Sequence, residues 1–393
     1  MSDSLLSLSL KCVLKNPHTT LGPPACALSP HLRRAIIRGL SLSLAWTDTV
    51  VPASFFHGCD LRVLSFAGCS KISPAFLLSV CSPGLLGLDL SSFFALDDAT
   101  LAAILAACPQ LRYLNVMDCR KLTDASAATL VSQGGSLRHV DLGGCTSIGA
   151  PALLALVEGH PGMRQFTGLG LSGVNGLGPE LLTALAARCT RLQRLAVGYY
   201  VGPAAPLVEL LRQNADTLVA LECHWSRAAT DDLAMALTGG AGAFKELRFL
   251  NLQGAKGISL DGLCAIVSTH PRRPGATAGA GEWDHSDVLE WRALCGLPKK
   301  AMQEALASSV SSLCNLSAPR ASSSSSSSSG SAAMEEEGED SSLSTPALLR
   351  KAGSGLAYLC CRYATPDGSV ALPSLRDHCS RLSAGGAGAV MLD

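Results

Sequence analysis

Apolar residues recur along this chain with two alternating periods. Four segments align directly, beginning at Leu61, Leu111, Leu137 and Leu247. Each reads L-x-x-L-x-L-x-x-C, as in Leu111-Arg-Tyr-Leu114-Asn-Val116-Met-Asp-Cys119, with Ala255 in place of Cys in the last. Weaker copies begin at Leu85, Met163, Leu192, Leu218 and Leu356. Placed in order, the copies up to residue 247 start at 61, 85, 111, 137, 163, 192, 218 and 247, in steps of 24 to 29 residues. Alternate apolar positions predict a short strand at the start of each copy. The second half of each copy has apolar residues at three-and-four spacing, as in Leu101, Ile104 and Leu105, which predicts a helix. Asp or Thr stands at its start as an N-cap, and Cys or His closes it at Cys81, Cys108, His160, Cys189, His270 and Cys379.

A strand and a helix every 26 residues or so form one coil of an α/β solenoid, a leucine-rich-repeat solenoid with parallel strands on the concave face and helices on the convex face. No single coil can bury its apolar side, so Leu111, Leu114 and Val116 are expected to stack on Leu137, Val140 and Leu142 of the next. The third, fifth and seventh places of each strand point away from that core. They present Tyr113, Asn115 and Met117; His139 and Asp141; Arg194; Glu222 and His224; and Phe249 and Asn251, with Trp225 just past one strand. Aromatic, Met and Arg side chains are the types enriched as interface anchors, so this face is the expected site for a protein target.

The repeat covers about 59–270 and is interrupted twice. Residues 271–311 read as a Pro/Gly-rich stretch followed by helices at Trp283–Leu294 and Pro298–Val310. A strand is expected to resume at Leu313–Leu316. Further repeats are expected over 312–393, broken by a Ser/Glu-rich insert at 318–344 that contains eight consecutive serines and the acidic run Glu335–Asp340. Such a composition cannot bury enough surface to order itself. The next strand is placed at Leu356–Cys361, with Leu382 standing 26 residues later. The chain then stops at Asp393 without a polar cap, which predicts a covered or incomplete end. Residues 1–45 form a separate helical head, with one amphipathic helix over Ser4–Asn16 and a second from Leu28 to Leu40 with Pro30 in its first turn.

Two resemblances follow from these motifs. The repeat is similar to the cysteine-containing leucine-rich repeats of F-box substrate receptors and their relatives. Ser4, Leu5, Ser9 and Val13 resemble the BC-box, the helix with which cullin adaptors grip elongin C, although Ser9 stands where Cys is commoner. Behind it, Leu28, Pro30 and Leu32 open a helix that resembles a cullin-facing box, a pairing found with leucine-rich repeats in Zyg-11-type adaptors. The same segment is also similar to the first helix of an F-box. The resemblance implies a substrate-recognition subunit of a cullin–RING ubiquitin ligase. Its head would bind elongin C or the F-box linker with a cullin, its sheet would bind the target, and it would act in the cytoplasm or nucleus. The alternative is a repeat scaffold or inhibitor with no ligase link. A GTPase-activating repeat protein would need a positioned Arg or Asn, and nothing singles one out.

Composition narrows the chemistry. The chain has 393 residues, 66 of them Leu, and 31 Lys+Arg balance 31 Asp+Glu. That balance argues against a general nucleic-acid or anionic-membrane surface. No apolar stretch is long enough to span a bilayer, and the N-terminus lacks the basic start of a signal peptide. The 16 cysteines recur at fixed repeat places, as buried, reduced core residues do. No C-x-x-C pair suggests zinc, so neither metal nor cofactor is expected. No catalytic motif is found and no enzymatic activity is expected. Gly168-Leu-Gly170-Leu-Ser-Gly173 matches G-x-G-x-x-G but lacks the strand context of a dinucleotide site and reads as a repeat turn.

Overall fold

The computed structural model describes residues 28–30, 32–34, 36–37, 48, 52–239, 244–269, 358–360 and 391–392. Ten strands form one parallel sheet in chain order: β1 Val63–Ser65, β2 Gly87–Asp89, β3 Tyr113–Asn115, β4 His139–Asp141, β5 Gly168–Gly170, β6 Arg194–Ala196, β7 Ala220–Glu222, β8 Phe249–Asn251, β9 Tyr358–Cys360 and β10 Met391–Leu392. Each of β1 to β8 is followed by a helix: α1 Pro74–Val80, α2 Asp98–Ala107, α3 Asp124–Gln133, α4 Ala150–Gly159, α5 Pro179–Arg188, α6 Ala204–Gln213, α7 Asp231–Thr238 and α8 Leu260–Thr269. This is the α/β leucine-rich-repeat solenoid expected from the period.

The middle residue of each strand from β1 to β8 faces the core. Leu64, Leu88, Leu114, Val140, Leu169, Leu195, Leu221 and Leu250 pair in register down the sheet, and all are buried. The apolar ladder runs as one cluster from Ile36 to Val267. Where the ninth place is cysteine, at Cys69, Cys119 and Cys145, it closes the coil from inside. The Cys119 thiol donates to the carbonyl of Leu90 (3.2 Å) and that of Cys145 to Val116 (3.2 Å), one coil back. Burial pushes the Cys119 thiol up to about 12.

Helix starts and ends are tied between coils as well. Asp97 caps α2 through the Thr100 amide (2.8 Å). Asp98, the first residue of α2, accepts from the amide (2.9 Å) and hydroxyl (2.7 Å) of Thr123, the N-cap of α3. Asp124 repeats the link to Gly149 (2.7 Å) and Asp231 to Ser259 (2.8 Å). At helix ends, His160 bonds the Gly134 carbonyl through Nε2 (3.0 Å) while its Nδ1 accepts from the Gly162 amide (3.0 Å). Asn214, a helix end not foreseen from the sequence, does the same job, donating to the Cys189 carbonyl (2.8 Å) and accepting from the Leu192 amide (2.7 Å). His160 is thus a capping residue, as expected; His270 and Cys379 lie outside the described residues.

Two expectations change. The copy placed at Met163 begins at Phe166, because β4 pairs His139 with Gly168. Met163 lies in a short 3-10 turn, Met163–Gln165. The Gly168–Gly170 segment is a strand rather than a turn; only Gly173, at φ 70°, turns. Further along, β9 pairs directly with β8, Tyr358 opposite Phe249; the strand placed at 313–316 lies outside the described residues. The solenoid resumes in the sheet at the strand placed over Leu356–Cys361. The helices assigned to 283–294 and 298–310, the acidic run and Leu382 lie outside the described residues.

Candidate interaction surface

The concave face is built from the columns that the register stacks. In the fifth-place column, Asp89, Asn115, Asp141 and Asn251 each bend back to accept the amide two residues on, at 3.0, 3.0, 2.9 and 3.1 Å. This Asx-type bond ends the strand and turns the chain out of the sheet.

Beside this column, β5 has no side chain at its third or fifth place, since both are glycine. A Cβ on Gly168 would fall inside the His139 ring, and one on Gly170 would fall on the Asp141 carboxylate. The side chains of β4 therefore lie across β5 and meet Arg194 of β6, two strands away. Arg194 donates to Asp141 (2.8 Å) and, through two nitrogens, to Glu222 on β7 (2.8 and 3.2 Å), and it stands 3.3 Å from His139 Nε2. Tyr113 completes the cluster, its ring 4.7 Å from that of His139.

The cluster is buried: Arg194 is 3% exposed, Asp141 4%, and Glu222 and His139 7% each. Burial alone would raise the Asp141 carboxyl, but the Arg194 guanidinium reverses this and holds it below its usual range. Burial, reinforced by Arg194, pushes His139 down to about 3, so the ring is neutral. The two carboxylates hold Arg194 firmly protonated against its own burial.

These side chains do lie on the concave face, as the repeat predicted, but they are not offered to solvent. Asn115 and Phe249 are buried too. Parallel strands stand about 4.7–4.9 Å apart, so long side chains over small neighbours lie flat across the sheet and cover one another. Tyr113, Met117, His224 and Asn251 keep partial exposure.

The exposed anchors sit at the trailing edge, where strands give way to helices. The eighth place of the repeat has positive φ in all eight coils from β1 to β8: Gly68, Ser92, Asp118, Gly144, Gly173, Tyr199, Trp225 and Gly254. Glycine accepts this conformation without strain, whereas a bulky side chain is strained there. Tyr199 (φ 62°) and Trp225 (φ 54°) hold it in adjacent coils and are 56% and 41% exposed, beside Val201 at 67%. The Tyr199 ring lies against Gly173 and the Trp225 indole against Gly254, each using a neighbouring coil that lacks a side chain. His224 stands edge-on to Tyr199 at 5.2 Å, and its Nδ1 is buried without a hydrogen-bond partner. Trp225 and His224 were expected here. Tyr199 and Val201 were not, although four glycines at the eighth place mark that position as one where an aromatic needs explaining.

At the other end of the sequence, Ser4, Leu5, Ser9 and Val13 lie outside the described residues. The second head helix is described in part. Pro30 opens it and is exposed, Leu32 is half-buried, and Leu28 packs on the core. Ile36 and Ile37 are buried in the first coil. The Arg33 guanidinium donates to the carbonyls of Leu28 (3.2 Å), Phe55 (2.9 Å) and His57 (2.9 Å). This helix therefore seals the open end of the solenoid, whatever else its outer side contacts. Among the described residues no cluster of His, Cys, Asp or Glu is arranged to hold a metal, and no helix is long and apolar enough to cross a membrane.

No protein-family model matches the chain. Among solved structures it is similar to the Rad7 and Elc1 complex in yeast, with TM-score 0.43 and 20% identity over 66% of this chain and 78% of that one. It is also similar to the leucine-rich repeat-containing protein LegL7 from Legionella pneumophila, with TM-score 0.37 and 17% identity over 63% and 77% of the two chains. A TLR13–ssRNA13 complex matches with TM-score 0.33 and 15% identity over 54% of this chain and 39% of that one. Likenesses this distant assign no function.

Proposed function

We propose that this protein is the substrate-recognition subunit of a cullin–RING ubiquitin ligase and that it does no chemistry itself. The observation that carries target binding is the pair Tyr199 and Trp225. Two large aromatics on adjacent coils are held exposed in a backbone conformation that disfavours them. Strain retained at a surface is a signature of function rather than of folding. Aromatic anchors beside a buried polar floor match the anatomy of a protein-binding centre. The ligase assignment adds the BC-box-like Ser4, Leu5, Ser9 and Val13, whose Leu would enter a groove on elongin C. Domain limits follow: a head over 1–45, part of which caps the solenoid, and a target-binding sheet from 59 onward. The chain would act by raising the target's effective concentration near the ubiquitin-loading module, in the cytoplasm or nucleus.

Recovery of tagged protein from extract, probed for elongin C, the F-box linker and cullins, tests the reading. Retention of elongin C that Leu5→Asp abolishes is expected. Retention of none sinks the ligase role and leaves a repeat scaffold or inhibitor. Tyr199→Ala with Trp225→Ala should remove the target while elongin C stays bound.

A further inference from the structure

The zero net charge hides a segregation. On the trailing edge, acids open the helices: Asp98, Asp124, Glu180 and Asp231 stand in their first turns. The leading edge, where helices end and strands begin, carries the opposite sign over the third to sixth coils. Arg112 and Arg138 stand one residue before β3 and β4, whose register makes them neighbours. Arg164 lies in the turn before β5, Arg188 ends α5, and Arg191 follows it. Over 108–112, 134–138, 158–167 and 188–193 these five arginines meet one carboxylate, Glu158.

Helix C-termini gather at this edge, and their carbonyls favour cations. That accounts for part of the pattern: one Arg138 nitrogen donates to the carbonyls of Gly135 (3.2 Å) and Leu137 (2.8 Å). It does not use up the donors. Arg164 and Arg191 are exposed, and Arg188 Nε is buried with no hydrogen-bond partner. Ion pairs join Arg194 to Asp141 and Glu222, and Arg248 to Glu246; among the described residues, none involves Arg138, Arg164, Arg188 or Arg191. Burial, with Arg112 close by, lowers the affinity of Arg138 for its proton, as expected for a cation facing another cation.

We infer that this arginine ridge is a second binding surface, separate from the aromatic anchors, and that it takes an acidic peptide segment of a partner protein. Guanidinium forks match carboxylates in bidentate pairs. Three strand steps separate Arg112 from Arg191, roughly 14–15 Å at sheet spacing, which four or five extended residues span. A single-stranded nucleic acid would need aromatic platforms for its bases. The one aromatic in these segments, Phe166, is buried. The inference does not depend on the ligase role.

The full chain is titrated into a labelled oligoglutamate peptide and followed by fluorescence anisotropy. Arg138→Glu/Arg164→Glu/Arg191→Glu should weaken binding by about tenfold or more, since it replaces attraction with repulsion at each contact. Arg120→Glu/Lys121→Glu/Arg227→Glu imposes the same change in net charge on the trailing edge and should leave binding nearly unchanged. Glutamine replacements at the three ridge positions give a milder loss and serve if the reversal variant fails to fold by circular dichroism. Equal loss in both triple variants, or no binding either by the parent chain or by the chain whose Glu335–Asp340 acids are replaced by glutamine, overturns the ridge. Tighter binding of labelled single-stranded RNA overturns the peptide. Binding that emerges only once the acidic residues of Glu335–Asp340 are replaced by glutamine makes this chain's own run the occupant, and overturns an external partner.

Discussion

At the residue scale the concave face turns on what β5 lacks. Two glycines, a poor choice for strand propensity, open a slot into which His139 and Asp141 reach toward Arg194. The sequence shows which side of the sheet these residues occupy, because a period of two admits one answer. It does not show that they bury one another, because that depends on side chains 28 to 55 residues apart meeting across strands. Buried ion pairs add little net stability, yet breaking one strands an uncompensated charge. Arg194→Met should therefore cost about 3–5 kcal/mol, measured by urea unfolding, by leaving Asp141 and Glu222 unpaired. Replacing Asp141 and Glu222 by Leu in the same chain should restore most of that loss, since an apolar cluster needs no counter-charge. If the single and triple variants unfold alike, the quartet has no electrostatic role.

At the scale of the element, every coil from β1 to β8 carries an apolar residue inward at the fourth place and a left-handed residue at the eighth; four add an Asx-type bond at the fifth and three a thiol at the ninth. Leu and Cys are frequent enough at their places to be read by eye. The copy from Phe166 to Val174 was misplaced by three residues because Phe and Val occupy its first and ninth places and glycine its strand. The eighth place carries its meaning in φ rather than in hydropathy, so Tyr199 escapes a periodicity search, and Trp225, though read as an anchor, shows no sign there of its strained backbone. Their strain makes a paired expectation. Tyr199→Gly and Trp225→Gly relieve a left-handed penalty of roughly 1–2 kcal/mol each, offset by the lost ring contacts and by the entropy of glycine in the unfolded chain. Thermal unfolding should then change little or rise, while target recovery falls. A stability loss as large as that of a core truncation would show instead that the rings hold the fold.

For the whole molecule, a solenoid is stable as a sum of coils and of the interfaces between them. Its period was legible throughout the described body, whereas its end was not. The helix that resembles a cullin-facing box also seals the first coil through Ile36, Ile37 and Arg33, a use that no local motif announces. Nearest-neighbour coupling sets where damage travels. Leu114 is fully buried in β3, packed within the continuous apolar ladder and paired in register with Leu88 and Val140. Leu114→Ala should cost about 2–5 kcal/mol through lost burial and the cavity left behind. Hydrogen exchange should show the coils of β2, β3 and β4 losing protection first. Those of β7 and β8 should follow only as the global transition is approached, because no interaction links them to Leu114 except through the intervening coils. Uniform loss of protection along the chain would mean that the solenoid unfolds as one unit, and the nearest-neighbour account would fail.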